Sequence, residues 1–259
     1  MKHLLTTALL FTLISCAPTE SRQPAAQVKP TQTKPADTLV TVLTISVEST
    51  DFIQIRLNPA NAYIAVADSV MPSESDPTIG LCVEAAFTGE LLPEFKTDNV
   101  AGDYVVEGKL RKGYKCKANT GFLYADKTSC TISSSQNCNQ WIGRAQKTQG
   151  SLFQQMLLVK AGANVYQGKP IRRSSANIYR SACKMKDGSF AVIQTKTALS
   201  LEQFIKSLIA MGVQDALYLD MGSGWNYGWY RTTTDSAPVR LFNYRTPYQT
   251  NWLVIKRRK

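Results

Sequence analysis

The chain has 259 residues, a formal net charge of +11 and a single histidine, His3. This length allows one domain of ordinary size or two small ones. His3 lies in the N-terminal leader, so the rest of the chain has no histidine. This excludes Ser-His-Asp catalysis, Cys-His catalysis and histidine-ligated zinc sites there. Proton transfer would have to use carboxylates, lysine, tyrosine or cysteine.

The leader, MKHLLTTALLFTLISC, has a basic start, an apolar run and small residues before Cys16. This pattern predicts a signal peptide over residues 1–15 and a lipidated Cys16 of the bacterial lipoprotein type. An ordinary signal peptide with an incidental cysteine is the alternative. Residues 16–38 contain Pro, Thr, Gln and Lys but almost no large apolar residue, which predicts a disordered tether. Residues 39–259 are therefore expected to form one domain in the cell envelope, lipid-anchored to a bacterial membrane and facing the periplasm or the cell surface.

The positive net charge of the chain indicates which kind of molecule it binds. Removal of residues 1–15 takes away Lys2 and no acid, so the net charge falls from +11 to +10. The basic residues are spread along the chain apart from Lys256–Lys259, and no aromatic-and-basic pattern typical of RNA binding is present. We therefore expect an anionic glycan or phosphate ester and no nucleic acid. A solvated basic surface beside an acidic membrane is the alternative.

Five cysteines remain after Cys16, and an odd number leaves at least one thiol unpaired: Cys82, Cys116, Cys130, Cys138 and Cys183. Cys130 and Cys138 flank the polar loop TISSSQN, and exported compartments permit disulfides, so this pair is predicted to form a bridge. No CxxC pair is present. We expect no metal site and no cofactor.

The strands come first in the domain. TVLTISVEST and DFIQIRLNP alternate apolar and polar residues across a Ser-Thr-Asp turn, which predicts a hairpin. NAYIAVADSV indicates a third strand. Two further hairpins are predicted at Asp103–Gly113 and Arg180–Lys196, the second turning at Asp187 and Gly188, a dipeptide that primed turns prefer.

The clearest helix is SLEQFIKSLIAMG. Ser200 is a good N-cap, Gln203 completes a capping box, and Gly212 can close the helix. The apolar residues form one stripe: Leu201, Phe204, Ile205, Leu208 and Ile209. The short apolar segment DALYLD follows, as expected of a buried strand. Together these elements predict an α+β fold, a single domain with a substantial mixed, mostly antiparallel sheet and a few packed helices.

The segment LYLDMGSGWNYGWYR follows that helix. Asp220 ends the strand, and the glycines after it would let a ligand approach backbone N–H groups, although a carboxylate that only caps a tight turn fits as well. Flat aromatic faces beside the amide of Asn226 are typical of a sugar site, with a core edge or an oligomer contact as alternatives. Arg180 is suited to holding a phosphate through two parallel hydrogen bonds, or is a surface charge.

From Arg180 to Ser223 the order is arginine, strand, KDGSF, strand, capped helix and MGVQDALYLDMGSG. This order resembles the phosphodiester glycosidase family, the relatives of the uncovering enzyme that removes N-acetylglucosamine from a mannose phosphodiester. The family pattern G-x-x-x-A-L-x-L-D-G-G-G-S matches at Gly212, Ala216, Leu217, Leu219, Asp220, Gly222 and Ser223. FQQMLLVKAGANV and DYVVEGKLRKGYKCKANTGFLYAD are similar to two further family segments. Met221 departs from the glycine run, and the family's NGG-FF motif has only EAAFTG (Glu84–Gly89) as its nearest counterpart.

The resemblance implies a hydrolase that cleaves a glycosyl phosphodiester or a related glycan linkage. Such a reaction needs a carboxylate near the anomeric carbon and a cation on the phosphate. Asp220 is assigned to the first role and Arg180 to the second, with Glu84 as a second carboxylate. The expected substrate-binding residues are Gly222, Ser223, Trp225, Asn226, Tyr227, Gln154 and Gln155. The alternatives are a catalytically silent carbohydrate-binding lipoprotein on the same fold and a structural envelope protein whose basic face meets anionic lipid or polysaccharide.

Overall fold

The computed structural model describes residues 37–166, 168, 176–222, 226–242 and 245–259, so the predicted signal peptide, Cys16 and nearly all of the tether lie outside the described residues. The described strands in chain order are β1 (Val40–Val47), β2 (Thr50–Leu57), β3 (Ala62–Asp68), β4 (Ile79–Glu84), β5 (Tyr104–Val106), β6 (Lys109–Arg111), β7 (Gly121–Ala125), β8 (Cys130–Ser134), β9 (Ser151–Gln155), β10 (Leu157–Lys160), β11 (Ala163–Asn164), β12 (Arg180–Met185), β13 (Phe190–Thr195), β14 (Val213–Tyr218), β15 (Gly228–Tyr230), β16 (Val239–Phe242) and β17 (Asn251–Arg257). The α-helices among them are α1 (Cys138–Lys147) and α2 (Leu201–Ala210).

These strands form three sheets in which every described strand pair is antiparallel. The first has seven strands in the order β1-β2-β13-β12-β14-β10-β11. The second has five in the order β16-β15-β4-β17-β3, and the third has five in the order β6-β5-β9-β7-β8. The fold is thus mostly β with two helices, antiparallel as expected, but three sheets stand where one large sheet was predicted.

The predicted hairpins are present, with two differences at their turns. The β1–β2 turn is formed by Glu48 and Ser49, both at positive φ, slightly before the expected Ser-Thr-Asp turn. The β12–β13 connection has three residues, because the Gly188 N–H donates to the Met185 carbonyl and the Met185 N–H to the Ser189 carbonyl. Gly188 has φ +80°, as the last position of such a loop requires. The predicted two-residue turn is therefore wrong.

Helix α2 begins and ends as predicted. The Ser200 hydroxyl accepts from the Gln203 N–H at 3.1 Å, and the Gln203 side chain accepts from the Ser200 N–H at 3.1 Å. Gly212 has φ +81° and donates to the Ile209 carbonyl at 2.9 Å. On the buried face, Phe204 stacks on Tyr179 with ring centroids 5.5 Å apart. Neither described helix is long and apolar enough to cross a membrane.

Ser200→Ala is expected to lower the free energy of unfolding by about 1 kcal/mol, because the orphan N–H of Gln203 loses its acceptor. Urea denaturation of Ser200→Asp, which retains an acceptor at the N-cap, provides the control and should show a much smaller loss. Equal losses in the two variants would contradict a capping role.

The three sheets enclose one apolar core. It combines Ile55 and Leu217 of the first sheet, Leu253 of the second, and Leu123 and Phe153 of the third. Helix α2 covers the outer face of the first sheet, α1 covers the outer face of the third, and Trp229 and Trp252 pack on the outer face of the second. The described domain is therefore held together through contacts distant in the chain.

The predicted Cys130–Cys138 disulfide is wrong, since all five described cysteines are free. Cys130 packs against the shared core, on the same side of β8 as Ile132. Cys138 packs with Phe122 and Ile142 on the opposite face of the third sheet, under α1. The two thiols are therefore separated by the sheet.

Candidate charge centre

Three distant segments meet at the backbone carbonyl of Ala85, directly after β4. This oxygen accepts from the Asp220 N–H at 3.1 Å and from the Gln155 side-chain amide at 3.4 Å. The Ala85 N–H in turn donates to the Asn251 carbonyl at 3.2 Å. Glu84, the last residue of β4, is thereby placed beside Asp220 by contacts that involve mostly backbone groups.

Asp220 lies two residues beyond the end of β14 and is buried. Its Oδ1 accepts from the Gly222 N–H at 2.9 Å, a turn closed by an aspartate side chain. The residue before it, Leu219, donates its N–H to the Arg180 carbonyl at 3.0 Å. Asp220 therefore does cap a turn, and the same turn holds its carboxylate next to β4 and β12.

Glu84 is fully buried, and neither of its carboxylate oxygens has a hydrogen-bond partner among the described residues. Burial and then the negative charge of Asp220 raise its pKa well above the usual range for a glutamate. The backbone N–H groups of Thr250 and Asn251 and the charge of Arg180 act in the opposite direction without restoring it. Burial beside Asp220 thus favours the protonated form of the Glu84 carboxyl group.

Arg180, at the start of β12, is also fully buried. Its Nε donates to the Gln194 side chain at 2.8 Å and its Nη2 to the Asn226 carbonyl at 2.9 Å. Its Nη1 is buried without a hydrogen-bond partner in the described part of the chain. Burial lowers the pKa of Arg180 to about 10, with Tyr218 and Glu84 acting against that shift, so it remains a cation at neutral pH.

We call Glu84, Arg180 and Asp220 the charge centre. Backbone hydrogen bonds bring their segments together, since the Asp220 N–H donates to the carbonyl of Ala85, next to Glu84, and the Leu219 N–H donates to the carbonyl of Arg180. In this cluster the pKa of one carboxyl group is raised, and one guanidinium N–H has no partner among the described residues. This combination is found at functional sites, and structural ion networks also produce it. The segments of the three residues that the sequence assigned to one site adjoin in the structure, and their role in a site stays a prediction.

The other predicted site residues divide between several places. Gln155 and Asn226 adjoin the charge centre through Ala85 and Arg180. Gln154 faces the other way and donates to the Asp103 carbonyl at 2.8 Å, because neighbouring strand residues point to opposite faces. Tyr227 packs on the outer face of the second sheet, and its hydroxyl donates to Glu74, so its ring and its hydroxyl are engaged away from the charge centre.

Gly222 contributes its N–H to Asp220, whereas Ser223 and Trp225 lie outside the described residues. Met221, where the family pattern has glycine, is buried in the apolar cluster beneath α2. The departure from the glycine run therefore supplies core packing beside the charge centre.

A polar cavity of about 490 Å³ lies on the side of β9 to which Gln154 points, and its lining includes none of Glu84, Arg180 and Asp220. Tyr114 lines it, and its pKa is raised to about 12 by burial, by Cys116 and by the negative charge of Asp220. The same cavity is lined by Gln154 and by Asn119, whose Oδ1 is buried without a partner among the described residues. It offers hydroxyl, amide and lysine groups within reach of Asp220's charge.

Two contributors were missed from the sequence. Gln194 orients Arg180 and lies directly opposite it on β13, a position that the three-residue loop sets and that the expected turn would have given to the next residue. Tyr114 stands in an irregular segment after β6, and no pattern in the sequence links that segment to Asp220.

The sequence matches no family model and no curated protein. Among solved structures, the chain is similar to a hypothetical protein from Synechocystis, with a TM-score of 0.54, 12% identity and coverage of 85% of this chain and 62% of that one. It is also similar to the zebrafish N-acetylglucosamine-1-phosphodiester alpha-N-acetylglucosaminidase catalytic domain auto-inhibited by its pro-peptide, with a TM-score of 0.49, 12% identity and coverage of 93% and 86%. The likeness to the Synechocystis protein, of whose length the match spans less than two thirds, shows a distant relationship of fold alone. Any statement about activity therefore depends on the charge centre.

Proposed function

We propose that the protein is a hydrolase that cleaves a glycosyl phosphodiester or a related glycan linkage at the charge centre. The observation that carries the proposal is the backbone contact that sets Asp220 beside both Glu84 and Arg180, with one guanidinium N–H of Arg180 unpaired among the described residues and the pKa of Glu84 raised. Glycoside hydrolysis uses two carboxyl groups in different protonation states, and a phosphodiester adds the need for a cation.

In this proposal Asp220 acts at the anomeric carbon, either as nucleophile or by activating water, as the bond from that carbon to the phosphate oxygen breaks. Arg180 compensates the negative charge that remains on the departing phosphate, with Nη1 as its available donor. Glu84 supplies a proton to the leaving side, although a phosphate leaves readily as an anion. Water provides the hydroxyl that ends on the sugar. The polar cavity beside Tyr114 would receive the substrate.

The cellular setting is part of the proposal. The leader segment and Cys16 support export and lipid attachment to a bacterial membrane, followed by a tether. The resemblance of the segment Arg180–Ser223 to the phosphodiester glycosidase family supports the substrate class.

A second candidate is a carbohydrate-binding lipoprotein without turnover on the same fold. The observation that favours it is the complete burial of Glu84 and Arg180, each with 0% exposure. Groups withdrawn from solvent in this way would not contact a substrate, so binding would fall to the polar cavity lined by Tyr114.

A panel of sugar-1-phosphodiesters with a chromogenic aryl group separates the two candidates. A hydrolase is expected to release free sugar and aryl phosphate from at least one member, with saturation kinetics. Binding of panel members in calorimetry, with no release from any, would replace the proposal with the silent candidate.

Arg180→Lys is expected to weaken binding of the phosphodiester substrate about tenfold or more. The guanidinium group of Arg180 contacts Gln194 and Asn226 and still has, among the described residues, a free N–H for the phosphate, and a lysine cannot make all of these contacts. The affinity is read by calorimetry with Asp220→Asn as the common background, which prevents turnover. Arg144→Lys, on an exposed residue outside both the polar cavity and the groove described below, is the matched control. Unchanged affinity in a folded Arg180→Lys variant would remove the phosphate role.

A further inference from the structure

A long groove lies at the other end of the strands from the charge centre. It has a volume of about 1260 Å³ and is lined by seven basic and three acidic residues. Thr78, immediately before β4, lies in it, whereas Glu84 ends the same strand. A strand rises about 3.3 Å per residue, so the two sites are separated by roughly 20 Å. Its lining includes none of Glu84, Arg180 and Asp220.

The groove continues into a smaller cavity of about 180 Å³. The two share part of their lining, including Tyr63, Lys127 and Arg258. The smaller cavity adds Lys184 at β12. The combined basic groove is therefore an elongated depression with Tyr63 in the shared portion.

Many of its cations have no acid to neutralise them. Lys256 pairs with Glu107 at 2.7 Å, and two further basic residues pair with acids outside the lining. Among the described residues, four more lining cations have no ion pair: Lys109, Lys127, Arg258 and Lys259. The only acid in the shared part, Asp126, is satisfied by Tyr124, Thr128 and Ser129 instead of a cation. An excess of positive charge therefore faces the groove.

The shape and lining select among anionic partners. A groove of about 1260 Å³ that continues into a second cavity has room for several sugar residues of a single chain, whereas a membrane presents a flat surface. The lining also suits a sugar chain, since Tyr63, half-buried in the shared part, is an aromatic residue that a sugar ring can contact, and the exposed Gln149 adds an amide group. A run of stacking aromatic residues, which single-stranded nucleic acid uses, is absent from this lining.

We propose that the basic groove binds an acidic polysaccharide, a sugar chain that carries carboxylates along its length. Lys109, Lys127 and Arg258 supply its charge contacts, and Tyr63 supplies a stacking surface. This site is separate from the charge centre and does not depend on hydrolysis there.

The test uses the full chain and fluorescently labelled oligogalacturonate or alginate of about ten sugars, followed by anisotropy. The wild type is expected to bind at low salt and to lose affinity as salt rises, because exposed charge contacts are screened. The double variant Lys127→Gln/Arg258→Gln should bind about tenfold more weakly. Lys196→Gln/Lys206→Gln removes the same charge from exposed residues outside the lining and should change affinity less than about twofold.

A neutral maltodextrin of the same length is expected not to bind. The proposal is overturned if both acidic oligomers fail to bind, if the two double variants lose affinity equally, or if maltodextrin binds as well. Tighter binding to phosphatidylglycerol vesicles or to single-stranded DNA than to both acidic oligomers would likewise overturn it, in favour of a membrane or a nucleic acid. Lys109→Gln, at an exposed position, provides a second folded variant if the double variant is unstable.

Discussion

Asp220→Asn is expected to lower turnover of a sugar-1-phosphodiester by about 10²–10⁴-fold and to leave the fold intact. Asparagine retains the oxygen that accepts from the Gly222 N–H, so the turn after β14 is preserved. What is lost is the negative charge available at the anomeric carbon. Measurement of kcat together with the thermal midpoint separates the two effects.

The matched control is Asp98→Asn, at an exposed position distant from the charge centre in the chain, which should leave kcat unchanged. The variant Asp220→Asn also removes a charge that raises the pKa of Glu84. In any residual activity, the limb of the pH profile that belongs to Glu84 should therefore move to lower pH. Full turnover in a folded Asp220→Asn protein would exclude Asp220 from the reaction.

Glu84→Gln is expected to raise the free energy of unfolding at neutral and alkaline pH and to flatten its pH dependence. Glu84 has a raised pKa in the folded state, so above the usual value of 4.5 the folded state holds a proton that the unfolded state has released. The contribution of Glu84 to the free energy of unfolding is therefore fully present below pH 4.5, and it is lost as the pH rises through the folded-state pKa. The slope from one such group is at most about 1.4 kcal/mol per pH unit.

Urea denaturation between about pH 4.5 and pH 8 measures this dependence for the wild type and the variant. The exposed Glu94→Gln is the control and should reproduce the wild-type slope. Identical slopes in wild type and Glu84→Gln would mean that Glu84 is ionised in the folded protein. Such a result would exclude Glu84 as a proton donor, independently of any activity assay.

The parts of the fold that could be predicted from the sequence are those that neighbouring residues in the chain determine. The β1–β2 alternation and the Ser200–Gln203 capping box involve residues within one turn or one hairpin, so neighbouring side chains suffice to specify them. That Arg180 and Asp220 lie on neighbouring strand ends was predictable because the two residues stand in a recognisable order of elements, whereas their role in catalysis stays a proposal. Their approach follows from the direct pairing of β12 with β14.

What was not predictable depends on long-range pairing. Strand β3 follows β2 closely in sequence but joins a different sheet, beside β17 near the other end of the described chain. No local signal encodes that choice. The placement of Gln194 opposite Arg180 depends on a single extra residue in the Lys186–Gly188 loop, which the dipeptide Asp187-Gly188 alone does not specify. The disulfide error arose similarly, since loop spacing does not reveal which face of β8 each thiol occupies.

The junction at the Ala85 carbonyl has a consequence for how such proteins are recognised. Because a backbone oxygen receives both the Asp220 N–H and the Gln155 amide, the acceptor itself is independent of the side chain at position 85. Substitutions there that fit the buried space would leave the three segments joined. Divergence can then erase the motif around Glu84 while the carboxyl groups stay in place, so relatives of this protein should be easier to find by superposition of this junction than by sequence pattern.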